Sequence, residues 1–289
     1  MRSNRFGKYQ ALVAALLILL AVLMIYSRGQ RAAQRLQLRS SGEVDQGLDK
    51  LQEEPQTRHI MDARSPFLPP SEKYLLGHVD PSSDTLFVPV GPQYAGREGM
   101  FMHREAYAAF LDMHRAASGA GVDLVIVSAM RTFAHQKRIW ENKWNGRQVL
   151  FGGILATSIG DPVERSREIL RFSAMPGTSR HHWGTDIDLN ALENSYFESG
   201  EGRRVYEWLS EHAAGFGFCQ PYTAIGPDRP QGYEEEKWHW SYKPVSSQYL
   251  RAYGSEVSYD DITGFDGWET AREIGVIEDY VLNIAADCR

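Results

Sequence analysis

Apolar residues change their spacing several times along the chain, and each spacing predicts a different element. Residues 11–26 form an unbroken apolar run closed by Tyr26, behind the basic residues Arg2, Arg5 and Lys8. That arrangement predicts an export segment whose length lies between the apolar core of a cleavable signal and a comfortable membrane-spanning helix. Residues 1–29 therefore read as an uncleaved anchor or, if the chain is cut near Ser27, Arg28 and Gly29, as a signal peptide. Arg28, Arg31, Arg35 and Arg39 balance the basic residues ahead of the run, so charge alone does not orient it. Residues 30–65 are polar with scattered leucines and are followed by the proline-rich punctuation of Pro66, Pro69 and Pro70, the pattern of a stalk. Denser aromatic and aliphatic residues then mark a folded domain over 66–289.

Within that domain Tyr107, Phe110, Leu111, His114 and Ala117 recur at helical spacing, and Gly119 and Gly121 stop the pattern before the apolar stretch 122–127. A helix feeding a buried strand is expected. Further helices are predicted at 133–144, 162–173, 202–213 and 267–283, and short strands at 185–190 and 237–243. Helices and strands do not alternate regularly, which favours a mixed α+β domain over a doubly wound one.

Length and charge narrow the function. A chain of 289 residues, 43% hydrophobic, accommodates one sizeable core plus a tail. A net charge of −6 and a pI near 5.9 supply no basic field for a polyanion, so nucleic acid is excluded as the expected partner. The cysteines Cys219 and Cys288 lack the close spacing of a thiolate metal site. Outside the cytoplasm they can form one bridge, and otherwise they are two thiols.

Three stretches carry candidate chemistry. The first runs from Ser179 to Leu189 and holds His181, His182, Asp186 and Asp188. His181 and Asp188 would stand roughly 23 Å apart on a straight strand and roughly 10 Å apart on one helix. Both can reach one ion only if the chain reverses, and Gly184 is the position where it bends with least steric cost. Asp186 and Asp188 share a strand face, so one can ligate while the other orients. The second stretch places His239 between Trp238 and Trp240, three residues after Glu236; burial among large rings keeps an imidazole neutral and able to bind metal. Two histidines and one aspartate with an open fourth position make a catalytic zinc layout rather than a structural one. The third stretch, Ser128 to Gln136, follows the predicted strand at 122–127, and its Arg131 offers a charged fork for a carbonyl oxygen gaining negative charge, or for a carboxylate.

Taken together the three strings resemble the VanY-type zinc D-alanyl-D-alanine carboxypeptidases, in the superfamily that also holds lysostaphin-like peptidases and the hedgehog signalling domain. Ser179, His181, Gly184 and Asp188 match one family pattern, Glu236, His239 and Trp240 a second, and Ser128, Arg131, Thr132 and Gln136 a third. The resemblance implies a small, mostly antiparallel central sheet surrounded by helices. It also implies one zinc ion on His181, Asp188 and His239, with Glu236 as general base and Arg131 as partner of the scissile carbonyl. Ser128, Gln136, Ser179, Trp183, Asp186, Trp238 and Trp240 are the expected substrate contacts. The insertion between Gln136 and Ser179, with Trp140 and Trp144, is expected to wall the cleft. The implied activity is removal of the terminal D-alanine from peptidoglycan stem peptides by metal-activated water. An L,D-carboxypeptidase, an endopeptidase, and a non-catalytic wall-binding module with a structural zinc are the alternatives. The implied place is the cell envelope: the cytoplasmic membrane with the catalytic domain on its outer side, or secretion if the signal is cut.

Overall fold

The computed structural model describes residues 70–289; the anchor and stalk expected at 1–29 and 30–65 lie outside the described residues. A one-turn helix α1 (Glu72–Leu75) leads into the antiparallel pair β1 (Phe87–Pro89) and β2 (Phe101–His103). Helix α2 (Arg104–Gly119) follows, with the His103 ring accepting from Glu105 N at its first turn. Its buried stripe of Ala106, Phe110, Met113 and Ala117 keeps the helical period. After β3 (Ile126–Ser128) comes α3 (Phe133–Trp144), spanning the residues its spacing predicts and capped by Thr132 Oγ1, which accepts from His135 N. Helix α4 (Pro162–Leu170) begins where Asp161 caps Val163 N and Glu164 N and Pro162 occupies the first turn.

The chain continues through β4 (Asp186–Leu189), α5 (Gly200–His212), β5 (Phe218–Cys219), β6 (His239–Tyr242), α6 (Lys243–Glu256) and α7 (Ala271–Ile274). Four strands form one antiparallel sheet in the order β3-β4-β6-β5. Because strand side chains alternate, each strand gives one set to a core and the other to the opposite face. Ile126, Ile187, Leu189 and Trp240 pack into a core with Phe110 and Met113 of α2 and Val205 and Leu209 of α5. Asp186, Asp188, His239 and Ser241 therefore share the other face. A second core, with Trp140 of α3, Leu170 of α4 and Tyr249 and Tyr253 of α6, collects the remaining helices.

Two expectations fail locally. The helix expected over 267–283 is broken at Gly275, which is left-handed at φ 73°, and only Ala271–Ile274 is α-helical within it. Conversely, α6 starts directly after β6, its first turn opened by Pro244, a start signal that the aromatic run before it obscured. Among the described residues no helix is long and apolar enough to cross a membrane.

Candidate metal centre

Register and one bend bring the metal-binding side chains together. Asp188 lies directly opposite His239 across β4 and β6, and Ser128 lies opposite Asp188 on its other side. His181 sits on a short 3₁₀ turn, Arg180–Trp183, that ends at Gly184 with φ 69°. A side chain at position 184 would strike Phe87 Cε1 at 2.7 Å and the His103 amide at 2.9 Å, so both conformation and close packing require glycine here. The bend turns His181 back over β4. One ligand atom each from His181, Asp188 and His239 then falls within 4.8 Å of the others, and all three side chains are buried.

The hydrogen bonds around this set determine which atoms face inward. His181 Nδ1 donates to Ala129 O at 2.9 Å, and burial, aided by the neighbouring Arg131 cation, lowers its pKa; the neutral ring therefore turns the lone pair of Nε2 toward Asp188 Oδ1, 3.3 Å away. His239 Nε2 donates to Asp186 Oδ2 at 3.0 Å, which leaves Nδ1 facing Asp188 Oδ1 at 3.3 Å and Glu236 Oε2 at 3.2 Å. Asp188 Oδ1 is itself buried with no hydrogen-bond partner. An orphaned carboxylate oxygen between two imidazole nitrogens is a donor set for one divalent cation, and two histidines with one aspartate suit zinc. The charge balance agrees. Burial would lower the His239 pKa, but Asp186, Asp188 and Glu236 around the ring hold it well above the free imidazole value, so the position calls for positive charge.

Asp186 orients rather than ligates. Its carboxylate also accepts from Arg180 Nε at 2.9 Å, Thr185 Oγ1 at 2.7 Å and Ser241 Oγ at 2.9 Å. Burial raises a carboxyl pKa, yet the Arg180 guanidinium and His239 hold this one well below the usual carboxylate range. A carboxylate behind a ligand histidine fixes both its tautomer and its orientation.

A cavity of about 420 Å³ opens beside the three ligands, within the range of small-ligand sites. Arg131, Ser128, Ser179, Glu236 and Trp238 line it. Arg131 is braced by Ser128 Oγ, which accepts from Nε at 2.9 Å and from Nη2 at 2.7 Å, and by Asp188 Oδ2, which accepts from Nη2 at 2.7 Å. Burial raises the Glu236 pKa, opposed in part by His239.

The remaining expected contacts lie elsewhere. Asp186 does not line the cavity, being enclosed by Arg180, Thr185, Ser241 and His239. Trp240 points into the α2 core, because it follows His239 on a strand and so takes the opposite face. Trp183 packs against Tyr249 and Tyr253 and donates to Leu75 O. Gln136 is fully buried behind Arg131, accepting from its Nη1 and donating to Ala174 O. In the insertion Trp140 joins the second core and Trp144 packs against it, leaving other residues of that segment to wall the cavity. His182 accepts from Gly177 N through Nε2 and so donates from Nδ1 to Arg131 O; burial pushes its pKa down to about 3 and keeps it neutral.

Sequence reasoning missed Arg180, Lys143, Tyr222 and Tyr233. Lys143 carried a usable signal, falling seven residues after Gln136 on the same face of α3. The two tyrosines stand between β5 and β6, where no local period marks them.

A His/Asp/His metal set beside a buried carboxylate at an open cavity, on an α+β scaffold, defines the metallopeptidase class. The family model of D-alanyl-D-alanine carboxypeptidases, VanY, matches residues 99–245, just over half of the chain. The chain belongs to this family. A D-alanyl-D-alanine carboxypeptidase of Enterococcus faecalis is 30% identical over 140 residues, 47% of this chain and 46% of that protein, so the chain spans about half of its relative's length. Among solved structures, VanYB in complex with D-alanine-D-alanine is similar at 25% identity and a TM-score of 0.41, covering 58% of this chain and 88% of that one. The LdcB LD-carboxypeptidase is similar at 19% identity and a TM-score of 0.44, covering 66% of this chain and 79% of that one. The two cysteines expected to bridge in an oxidising setting, Cys219 and Cys288, are joined by a disulfide.

Proposed function

We propose that the chain is a zinc-dependent D-alanyl-D-alanine carboxypeptidase that removes the terminal D-alanine of peptidoglycan stem peptides, held at the cell envelope by residues 11–26 with its peptidase domain outside the cytoplasmic membrane. The observation that carries this reading is Asp188 Oδ1, orphaned between two imidazole nitrogens with the Glu236 carboxylate close by. Family membership supports the substrate class, and a disulfide fits an oxidising compartment.

A zinc ion held by His181, Asp188 and His239 supplies a Lewis acid that polarises a carbonyl and acidifies water. Glu236 takes the proton of the attacking water and passes it to the departing amine; its burial, by raising the pKa, moves it toward a value that serves both transfers. Arg131 meets the negative charge that grows on the scissile carbonyl oxygen, a contribution of about 3 to 4 kcal/mol per donor in such sites. Ser128 and Asp188 keep its guanidinium in place, so little reorganisation is needed as the charge develops.

The test is to incubate the protein with defined peptidoglycan peptides, with and without a chelator, and to identify the products by mass. Free D-alanine from a peptide ending in D-alanyl-D-alanine is expected, lost on chelation and regained with zinc. Cuts inside cross-linked peptides, or after an L-centre, would make the protein an endopeptidase or an L,D-carboxypeptidase. Binding without hydrolysis would make it a wall-binding module, and turnover that survives chelation would reject the metal chemistry. Glu236→Gln should keep its zinc while turnover falls by at least about 10²-fold.

A further inference from the structure

Residues 149–156 carry no polar side chain, yet most of them stay outside any core. Leu150 and Ala156 root the segment in the second core, whereas Val149, Phe151, Ile154 and Leu155 are 42 to 65% exposed. Between the two roots the chain makes a closed turn. Leu150 N donates to Ile154 O at 2.7 Å and Gly153 N to Leu150 O at 3.0 Å, with Gly152 and Gly153 both left-handed at φ 80°. A Cβ added at either glycine meets nothing within 4 Å, so the tip stands clear of the domain. Single exposed apolar residues are ordinary on a protein surface, but four on one projecting turn mark a contact surface. The turn borders the metal cavity: Phe151 packs on Phe172 with ring centres 5.0 Å apart, and Phe172 lines that cavity.

The charge of this segment is unlike that of the chain. Residues 142–160 contain no carboxylate and two cations, Lys143 and Arg147, although the whole chain has 37 acidic residues and a net charge of −6. Arg147 is exposed and donates to Asn142 Oδ1, a neutral acceptor, which leaves its charge unpaired. An apolar tip on a basic, carboxylate-free base suits a lipid surface, where the apolar groups go below the head groups and the cation meets their phosphates. A sugar would instead need polar side chains beside the rings, and the tip has none. The sequence also supplies the surface. The apolar run at 11–26 precedes the domain, and residues 27–69 span at most ~150 Å even at full extension.

We propose that the turn at 149–155 is a second membrane contact, which dips into a bilayer with anionic head groups and holds the mouth of the metal cavity at the lipid surface. This inference rests on the envelope placement in the reading above and not on its peptidase chemistry. A single tether limits distance alone, whereas a second contact beside the cavity fixes which face of the domain looks at the membrane.

In the full chain both native cysteines are bridged, so an added cysteine is the one free thiol. An environment-sensitive fluorophore is attached to Ile154→Cys and, as a control, to Asp112→Cys on α2, an exposed position on the far side of the sheet. Each labelled chain is reconstituted into vesicles of phosphatidylethanolamine and phosphatidylglycerol. The probe at 154 should emit to the blue of the probe at 112, be quenched by lipids with brominated acyl chains and be shielded from aqueous iodide; at 112 the two quenchers should act the other way round. Adding Phe151→Asp, at a 65% exposed position, should lower the lipid quenching at 154 by roughly 10-fold or more, the partition factor lost with one buried apolar side chain, and leave the denaturation midpoint unchanged. Equal iodide quenching at 154 and 112 would overturn the proposal. Shielding from iodide without lipid quenching would overturn it too, because protein, either a second copy or residues 30–65, would then cover the turn. If alkaline carbonate strips the chain from the vesicles, the anchor reading falls. Lipid quenching at 154 on simply mixing chain and vesicles would then still support the turn, and its absence would reject both.

Discussion

Asp186→Asn takes one negative charge from a fully buried carboxylate that accepts from Arg180 Nε, His239 Nε2, Thr185 Oγ1 and Ser241 Oγ. The carboxylate offers two acceptor oxygens and the amide only one, so one pair of donors is turned against an NH₂ group. In either orientation Arg180, whose side chain is 0% exposed, loses its ion-pair partner. Breaking a buried pair by removing one charge costs about 3 to 5 kcal/mol. For a domain of this size that is a fall in Tm of about 6 to 20 °C. In either orientation His239 also loses the charged acceptor that orients Nε2–H, and weakening such a partner lowers metal affinity by about 10- to 100-fold. Denaturation in the presence of a chelator isolates the first effect, and competition against a chromophoric zinc chelator isolates the second. Adding Arg180→Met should recover part of the stability, since no buried charge is then unpaired, without recovering zinc affinity. A folded Asp186→Asn protein that binds zinc as tightly as its parent would refute the orienting role of Asp186.

Metal removal should expose a pH dependence with a definite sign. Burial would lower the His239 pKa, but its three carboxylate neighbours raise it well above the free value. A raised folded pKa contributes stability that is complete below the unfolded value of about 6.5 and is lost as the pH climbs through the folded value. Chelator-treated protein should therefore become less stable as pH rises from neutral, and denaturation at a series of pH values checks this. Zinc takes the place of that proton, so its binding near neutral pH should release about one proton, read from the buffer dependence of the calorimetric enthalpy; no release would mean that His239 is neutral before the metal arrives. The Cys219–Cys288 bridge closes a sequence separation of 69. Replacing both cysteines by serine should cost about 4 kcal/mol on the chain-entropy view, and equal denaturation midpoints with and without the bridge would rule that contribution out.

The chemistry of the centre was legible in the sequence because it rests on residue types within short windows. His181, Gly184 and Asp188 lie within eight residues, and Glu236 and His239 within four. Helix α3 and strands β4 and β6 were legible too, since their apolar periods are local. Trp240 was misassigned although strand alternation beside His239 already turned it toward the core. Arg180 offered no such clue: nothing near it in sequence reveals that its guanidinium lies under Asp186, because Ser241, which shares that hydrogen-bond network, comes from another strand.

The sequence by itself determined which side chains can bind a metal, where the chain bends between two of them, and several of the helices and strands, since spacing and residue chemistry act over a few residues. Only the tertiary structure decided the register that sets Asp188 against His239, the division of the two aspartates into a ligand and its neighbour's support, and the cavity wall to which distant residues such as Lys143 and Tyr222 both contribute. Those outcomes depend on contacts between distant segments, such as Asp186 to His239, 53 residues apart, where strand pairing and core packing set distances that no local period encodes.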